Sequence, residues 1–144
     1  MDTTAKFKSA RAPTPPVREL RVLLAEDDAS QREAMAEFLT SHGFKVETAG
    51  DGINAVEMAL QKTFDVVVSD IRLPGLSGLG IARLLRSAPL PPPVILITAY
   101  PEWWNSPEAY ASRVRRVLIK PFSLSELVRA LEDTVAQDDR HSSN

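Results

Sequence analysis

The chain of 144 residues contains no cysteine. Disulfides, thiolate metal centres and a cysteine nucleophile are therefore excluded, and the absence fits the reducing cytosol. Charge of one sign is also missing: 17 Lys and Arg stand against 19 Asp and Glu, a formal net charge of −2. No chain-wide field draws the protein to nucleic acid or to an anionic membrane. Long apolar runs are absent too. Those present, such as Val94–Ile97, fall far short of the roughly 20 residues that cross a bilayer. The first residues carry Lys6, Lys8 and Arg11 but no apolar core, so they do not read as a secretory leader. No internal repeat and no linker interrupts the middle of the chain.

What remains is a composition of 44% hydrophobic and 25% charged residues, that of one globular domain. Residues 1–18 are polar with Pro13, Pro15 and Pro16 and read as a flexible arm. Residues 19–137 form the domain, and 138–144 a polar tail.

Within the domain, apolar runs and amphipathic stretches alternate. Leu20–Ala25 is a short strand-like run that ends on Glu26, Asp27 and Asp28. Met35, Phe38, Leu39 and His42 then repeat at helical spacing, with Gly43 as the stop. Lys45–Ala49 alternates like a strand, and Asp51-Gly52 opens a helix carrying Val56, Ala59 and Leu60. Asp65–Ser69 is a continuous β-branched run, as expected of a strand buried on both faces. A helix follows near Leu79–Ser87, and Val94–Thr98 is a second buried strand. Ser106-Pro107 pairs an N-cap with proline at the first helical position, so a short helix is expected there. Arg116–Ile119 is the last strand. Ser123 and Glu126 form a capping box for a final helix carrying Leu124, Leu127, Val128, Leu131 and Val135.

Five strands and five helices in strict alternation predict an α/β fold, a doubly wound parallel sheet covered on both faces. Right-handed crossovers make 2-1-3-4-5 one common order, with the ligand site beyond the carboxyl ends of strands 1 and 3. Glu26 and Asp27 follow strand 1 and Asp70 ends strand 3, so their carboxylates meet at that point. Thr98 ends strand 4 and Lys120 follows strand 5. Two like charges about 4 Å apart repel by roughly 4 kcal/mol at an effective dielectric of about 20, so such a cluster raises its pKa values or recruits a cation. Oxygen-only ligands suit Mg²⁺ best, with Mn²⁺ or Ca²⁺ as substitutes. Mg²⁺ favours phosphoryl oxygens, to which Lys120 and Thr98 offer a charge and a hydroxyl. Asp70 is then placed as a nucleophile that forms an acyl phosphate.

The stretches "LLAEDD", "VVVSDIRLPGLSG", "ILITA" and "LIKPF", in this order and at these spacings, resemble the receiver domain of two-component response regulators over about Glu19–Ala136. "SDIRLPGLSG" is most similar to receivers of enhancer-binding activators and FixJ-like regulators. The resemblance implies a flavodoxin-like fold with Asp70 as phosphoacceptor. It implies Mg²⁺ held by Glu26, Asp27, Asp70 and the backbone carbonyl of Arg72, whose side chain stays free. It also implies that Thr98 and Lys120 bind the phosphoryl group and that the Lys120-Pro121 peptide is cis. The donor it implies is a sensor histidine kinase or phosphotransfer protein in the cytoplasm. Two positions depart from the family pattern. Glu26 stands for the commoner Asp, and Val117 stands where the family carries the aromatic ring that rotates during switching.

Several residues have a plainer reading. Asp28 reads as a helix N-cap or a solvated acid rather than a metal ligand, and His42 as a helix-end residue near the C-terminal dipole. Trp103 and Trp104 read either as packing against Tyr110 or the sheet edge, or as a partner anchor on the face of the fourth helix, fifth strand and fifth helix. Arg113, Arg115 and Arg116 lie close by, as a solvated cluster or as a surface for an acidic partner or a second copy in a homodimer. Tyr100, two residues after Thr98, is expected to overhang the site and slow hydrolysis of the phosphoryl group. Two other functions stand beside the receiver reading. One is a pseudo-receiver that binds partners without phosphorylation, which Val117 favours. The other is a haloacid-dehalogenase-type hydrolase, which needs an acid where Arg72 stands. The output is not legible: the chain is a single-domain regulator or a receiver from a longer protein, with no nucleic-acid contact of its own.

Overall fold

Two strands buried along their whole length, Val66–Asp70 (β3) and Val94–Thr98 (β4), form the centre of the sheet. The structure, a computed structural model, describes residues 19–100 and 114–142. Arg21–Ala25 (β1) lies on the other side of β3, and Lys45–Ala49 (β2) and Val114–Ile119 (β5) are the two edges. All pairs are parallel, and the order is β2-β1-β3-β4-β5. The edges read as edges: both alternate or half-bury their residues, where β3 and β4 bury every one and β1 all but Arg21. The arrangement is the doubly wound α/β sheet that the alternation predicts, in the flavodoxin-like order that the resemblance implies.

Side-chain alternation along the inner strands splits the core into two layers. Val22, Leu24, Val66, Val68, Ile95 and Ile97 pack with Met35 and Leu39 of helix α1 (Ala29–Ser41) and with Leu127, Leu131 and Val135 of helix α4 (Leu124–Ser142). Leu23, Val67, Val94 and Leu96 pack with Ala55 and Val56 of helix α2 (Gly52–Gln61) and with Ile81 and Leu85 of helix α3 (Gly78–Leu85). Each such side chain taken fully out of water contributes roughly 1.5–3 kcal/mol before chain entropy is counted.

The local signals for the helices hold. The Asp28, Asp51 and Ser77 side chains accept from the backbone N–H groups of Gln31, Asn54 and Gly80. Ser123 and Glu126 satisfy each other's backbone N–H at 3.1 and 2.7 Å, a complete capping box. His42 caps α1, with its ring stacked on Phe38. Gly43 follows with φ of 92°.

Four helices stand among the described residues; the fifth expected one, at Ser106-Pro107, lies outside them, as do Trp103, Trp104, Tyr110 and Arg113. Leu60, expected on the inner face of α2, is 60% exposed. The last strand begins two residues earlier than expected, and β5 carries a bulge near its start. Val94 pairs with Val114 and Ile95 with Arg116, so Arg115 is the extra residue and the facing of the strand shifts by one. This is why Val114 and Val117, at odd spacing, pack on the same layer.

Candidate functional site

The register of the sheet brings the sequence-predicted acids together. Ala25 pairs with Ser69, so Glu26 stands level with Asp70 one step further along. Ile97 pairs with Asp70 and Thr98 with Ile119. Thr98 therefore arrives one step beyond the aspartate and Lys120 two. Together with Asp27 and Tyr100 they line a cleft of about 360 Å³ beyond the carboxyl ends of β1, β3 and β4, where the direction of strand succession reverses.

Asp70 is held by both of its oxygens. Oδ2 accepts from Lys120 Nζ at 2.8 Å and Oδ1 from the Arg72 backbone N–H at 3.2 Å. The side-chain bond joins groups 50 residues apart in sequence. The Lys120-Pro121 peptide is cis, as the resemblance implies. Burial works against the Lys120 ammonium. The Asp70 hydrogen bond and the charges of Asp70, Glu26 and Asp27 outweigh it and hold the pKa above the usual lysine value.

Glu26 is 2% exposed. Oε2 accepts from the Asp28 N–H at 3.1 Å, while Oε1 is buried without a hydrogen-bond partner, 4.0 Å from Lys120 Nζ. Burial, and then the charges of Asp70 and Asp27, push its pKa up against the Asp28 N–H and the Lys120 ammonium. An orphaned carboxylate oxygen beside a second carboxylate is a place for a cation. Among the described residues no three His, Cys, Asp or Glu side chains form a ready-made metal cage; Asp27 lies exposed at the rim. The donor set still fits Mg²⁺, which keeps several waters and takes one or two carboxylates.

The buried Glu26 charge should weigh on the fold. Glu26→Gln keeps an oxygen for the Asp28 N–H and removes the charge. It is expected to raise Tm in EDTA by roughly 2–4 °C, the shift that about 1 kcal/mol produces in a chain of this size. An equal or lower Tm for the variant in thermal unfolding would sink the account.

The remaining predicted residues fall as follows. Thr98 is 3% exposed, and its Oγ1 accepts from the Tyr100 N–H at 2.8 Å, so the hydroxyl belongs to the β4 loop as well as to the cleft. Asp28 is the cap of α1, as its plainer reading has it. The Arg72 side chain is not free: its guanidinium lies 4.5 Å from the centre of the Tyr100 ring. Val117 is half-buried against the α2–α3 layer. Arg115 and Arg116 are paired within the chain, with Asp138 at 3.0 Å and Asp133 at 3.3 Å on α4. The sequence reading missed the contact of Arg72 with Tyr100 and a clamp by Arg32, whose Nη1 donates to the Glu26 carbonyl at 2.8 Å. Only the arginine-to-aromatic pairing across two loops or a register of strand ends would have revealed them, and neither is a spacing in one stretch of chain.

A parallel sheet of this order, with acids and a lysine at its switch point, defines the class of flavodoxin-like signalling domains. The chain belongs to the response regulator receiver domain family, whose model matches residues 22–132. Members of this family are the phosphoryl-accepting domains of two-component systems. They bind Mg²⁺ in the active site and work between histidine kinases and output domains.

Among curated relatives, the chain is 34% identical to the response regulator MprA of Mycobacterium leprae over 83% of its own length and 54% of that protein's. It is 36% identical to the transcriptional regulatory protein PdtaR of Mycobacterium tuberculosis, over 81% and 57% respectively. The chain thus spans about half the length of the curated relatives it matches. Among solved structures it superposes on the chemotaxis response regulator CheY4 of Vibrio cholerae with a TM-score of 0.73 at 29% identity, covering 81% of this chain and 98% of that one. The receiver domain of the sensor histidine kinase PA1611 from Pseudomonas aeruginosa PAO1 gives 0.74 at 29% identity, over 82% and 98%. That structure has a magnesium ion coordinated in its active-site cleft.

Proposed function

We propose that Asp70 is the phosphoryl acceptor of this receiver and that Glu26, Asp27, Asp70 and the Arg72 carbonyl hold Mg²⁺ beside it, with Mn²⁺ as a substitute. The observation that carries the reading is the Lys120 ammonium 2.8 Å from Asp70 Oδ2, with the unpartnered Glu26 Oε1 next to it. In the transfer, an Asp70 oxygen attacks the phosphorus of a phosphohistidine. The new O–P bond forms as the P–N bond breaks, and the imidazole leaves with the electron pair. Bound Mg²⁺ neutralises charge on the transferring oxygens. Lys120 turns from Asp70 to one phosphoryl oxygen, and the Thr98 hydroxyl donates to another. The chain's own residues thus catalyse both the gain and the loss of the group.

The acquired charge of about −1.5 to −2 competes for the Thr98 hydroxyl now bound by the Tyr100 N–H. The signal leaves through that loop, since Val117 has no ring to rotate. Tyr100, under the Arg72 guanidinium, walls the open side of the cleft and restrains water. Tyr100→Ala is therefore expected to shorten the lifetime of the phosphorylated protein several-fold, followed as decay of the labelled mass. An unchanged decay would remove Tyr100 from this role.

The receiver unit spans residues 19–137, in the cytoplasm. Its donor is a sensor histidine kinase or phosphotransfer protein, and its output lies in a partner or in further chain. A homodimer through the β5–α4 face would have to exchange the Arg115–Asp138 and Arg116–Asp133 pairs for contacts between copies. The test of the reading is incubation with acetyl phosphate and Mg²⁺. Intact mass should rise by one phosphoryl group, and EDTA should prevent the rise. No gain in the presence of Mg²⁺ would return the chain to the pseudo-receiver reading.

A further inference from the structure

We infer that Arg32 is a positioning residue for the cation-binding edge of the cleft, acting through the backbone of Glu26 and Asp27; the inference rests on the reading of those acids proposed above. The two carbonyls follow the last residue of β1 and have left the sheet, so they need donors from elsewhere. Arg32, on the first turn of α1, supplies both: Nη1 stands 2.8 Å from the Glu26 carbonyl oxygen and 3.4 Å from that of Asp27. The same stretch is held on its other sides. The Glu26 N–H donates to the Ala49 carbonyl at 3.1 Å, and the Arg32 N–H donates to the Asp28 carbonyl at 2.8 Å. The guanidinium passes over Gly50, where a Cβ would come within 3.2 Å of Nη1. One side chain thereby ties the end of β1 to α1 and fills the space beside Gly50 after β2.

The choice of acceptor decides the function of the clamp. Arg32 takes carbonyl oxygens and leaves the carboxylates alone. Glu26 Oε1 has no hydrogen-bond partner, so the clamp orients the acid pair without consuming a ligand. Both carbonyls are reached from the one Nη1, which the planar guanidinium holds at a fixed angle; a lysine ammonium on a flexible stem is not fixed in this way.

The test is calorimetric titration of the full chain with MgCl₂ alone, in parallel with acetyl phosphate labelling across a Mg²⁺ series. Arg32→Ala is expected to weaken Mg²⁺ binding by about 10- to 100-fold, as for other groups that orient metal ligands. The Mg²⁺ concentration for half-maximal labelling should rise in step, by more than the rate at saturating Mg²⁺ falls. A general loss of structure would not divide the effect this way, and a urea midpoint checks the fold. Should Arg32→Ala not fold, Arg32→Lys, which retains the charge and the stem, is expected to weaken binding in the same direction. Wild-type Mg²⁺ affinity in either folded variant overturns the inference. A wild-type chain that neither binds Mg²⁺ nor is labelled overturns the reading beneath it instead.

Discussion

Asp70→Asn is expected to abolish phosphoryl labelling. The substitution is nearly isosteric, and the amide oxygen can still accept from the Arg72 N–H that now reaches Asp70 Oδ1 at 3.2 Å. What disappears is the anionic oxygen proposed to attack phosphorus, since an amide cannot form an acyl phosphate. Lys120 also loses the charge it pairs with at 2.8 Å. Loss of a nucleophile whose neighbours act only through it removes nearly the whole rate, so labelling should fall by more than about a thousandfold. The fold should persist, because removing one of three clustered carboxylates relieves repulsion at Glu26. Intact-protein mass after acetyl phosphate and Mg²⁺ reads the first effect, and thermal unfolding the second. Wild-type labelling of the Asn variant would move the acceptor elsewhere.

Gly52→Ala unfolds or severely destabilises the domain, although Gly52 is the first residue of an ordinary helix with a sound cap at Asp51. A Cβ there would meet the Leu76 carbonyl oxygen at 2.0 Å and Leu76 Cβ at 2.6 Å, contacts that no rotamer change relieves. The Gly52 N–H meanwhile donates to the Pro74 carbonyl at 3.0 Å. The start of α2 and the loop after Asp70 are thus in direct backbone contact. Overpacking of this kind costs typically 1–3 kcal/mol and more where backbone must move, a large part of the stability of a small domain. The displaced loop carries Arg72, so the surviving folded fraction should also need more Mg²⁺ for labelling. Urea unfolding with the linear extrapolation reads the stability. A variant within about 0.5 kcal/mol of wild type would show that the loop yields freely.

Much of this protein was legible before any coordinates. The β-branched run through Val66–Val68 and the run Val94–Ile97 belong to strands buried on both faces, and a strand so buried needs apolar residues at every position. The caps at Asp28, Asp51 and Ser123 are local chemistry, each acting within three residues, which is why they can be read from a short stretch. Once the sheet order is inferred, the meeting of Glu26, Asp27, Asp70, Thr98 and Lys120 follows from their places at strand ends. Edge elements were harder. The bulge at Arg115 and the exposure of Leu60 depend on neighbours that no local period encodes.

By itself, then, the sequence determined the elements seen among the described residues, a parallel sheet and the acids at its strand ends, because periodicity, capping and strand-end position are properties of the chain read in line. Tertiary structure alone decided the pairings at those strand ends. Lys120 binds Asp70 while Glu26 keeps a free oxygen, and the Arg72 guanidinium lies over Tyr100. Arg115 and Arg116 are spent on α4, and Arg32 grips the carbonyls of the acid pair. Each of these choices is a competition among groups on different elements, settled by differences of an ångström or two in where the sheet and its helices put them.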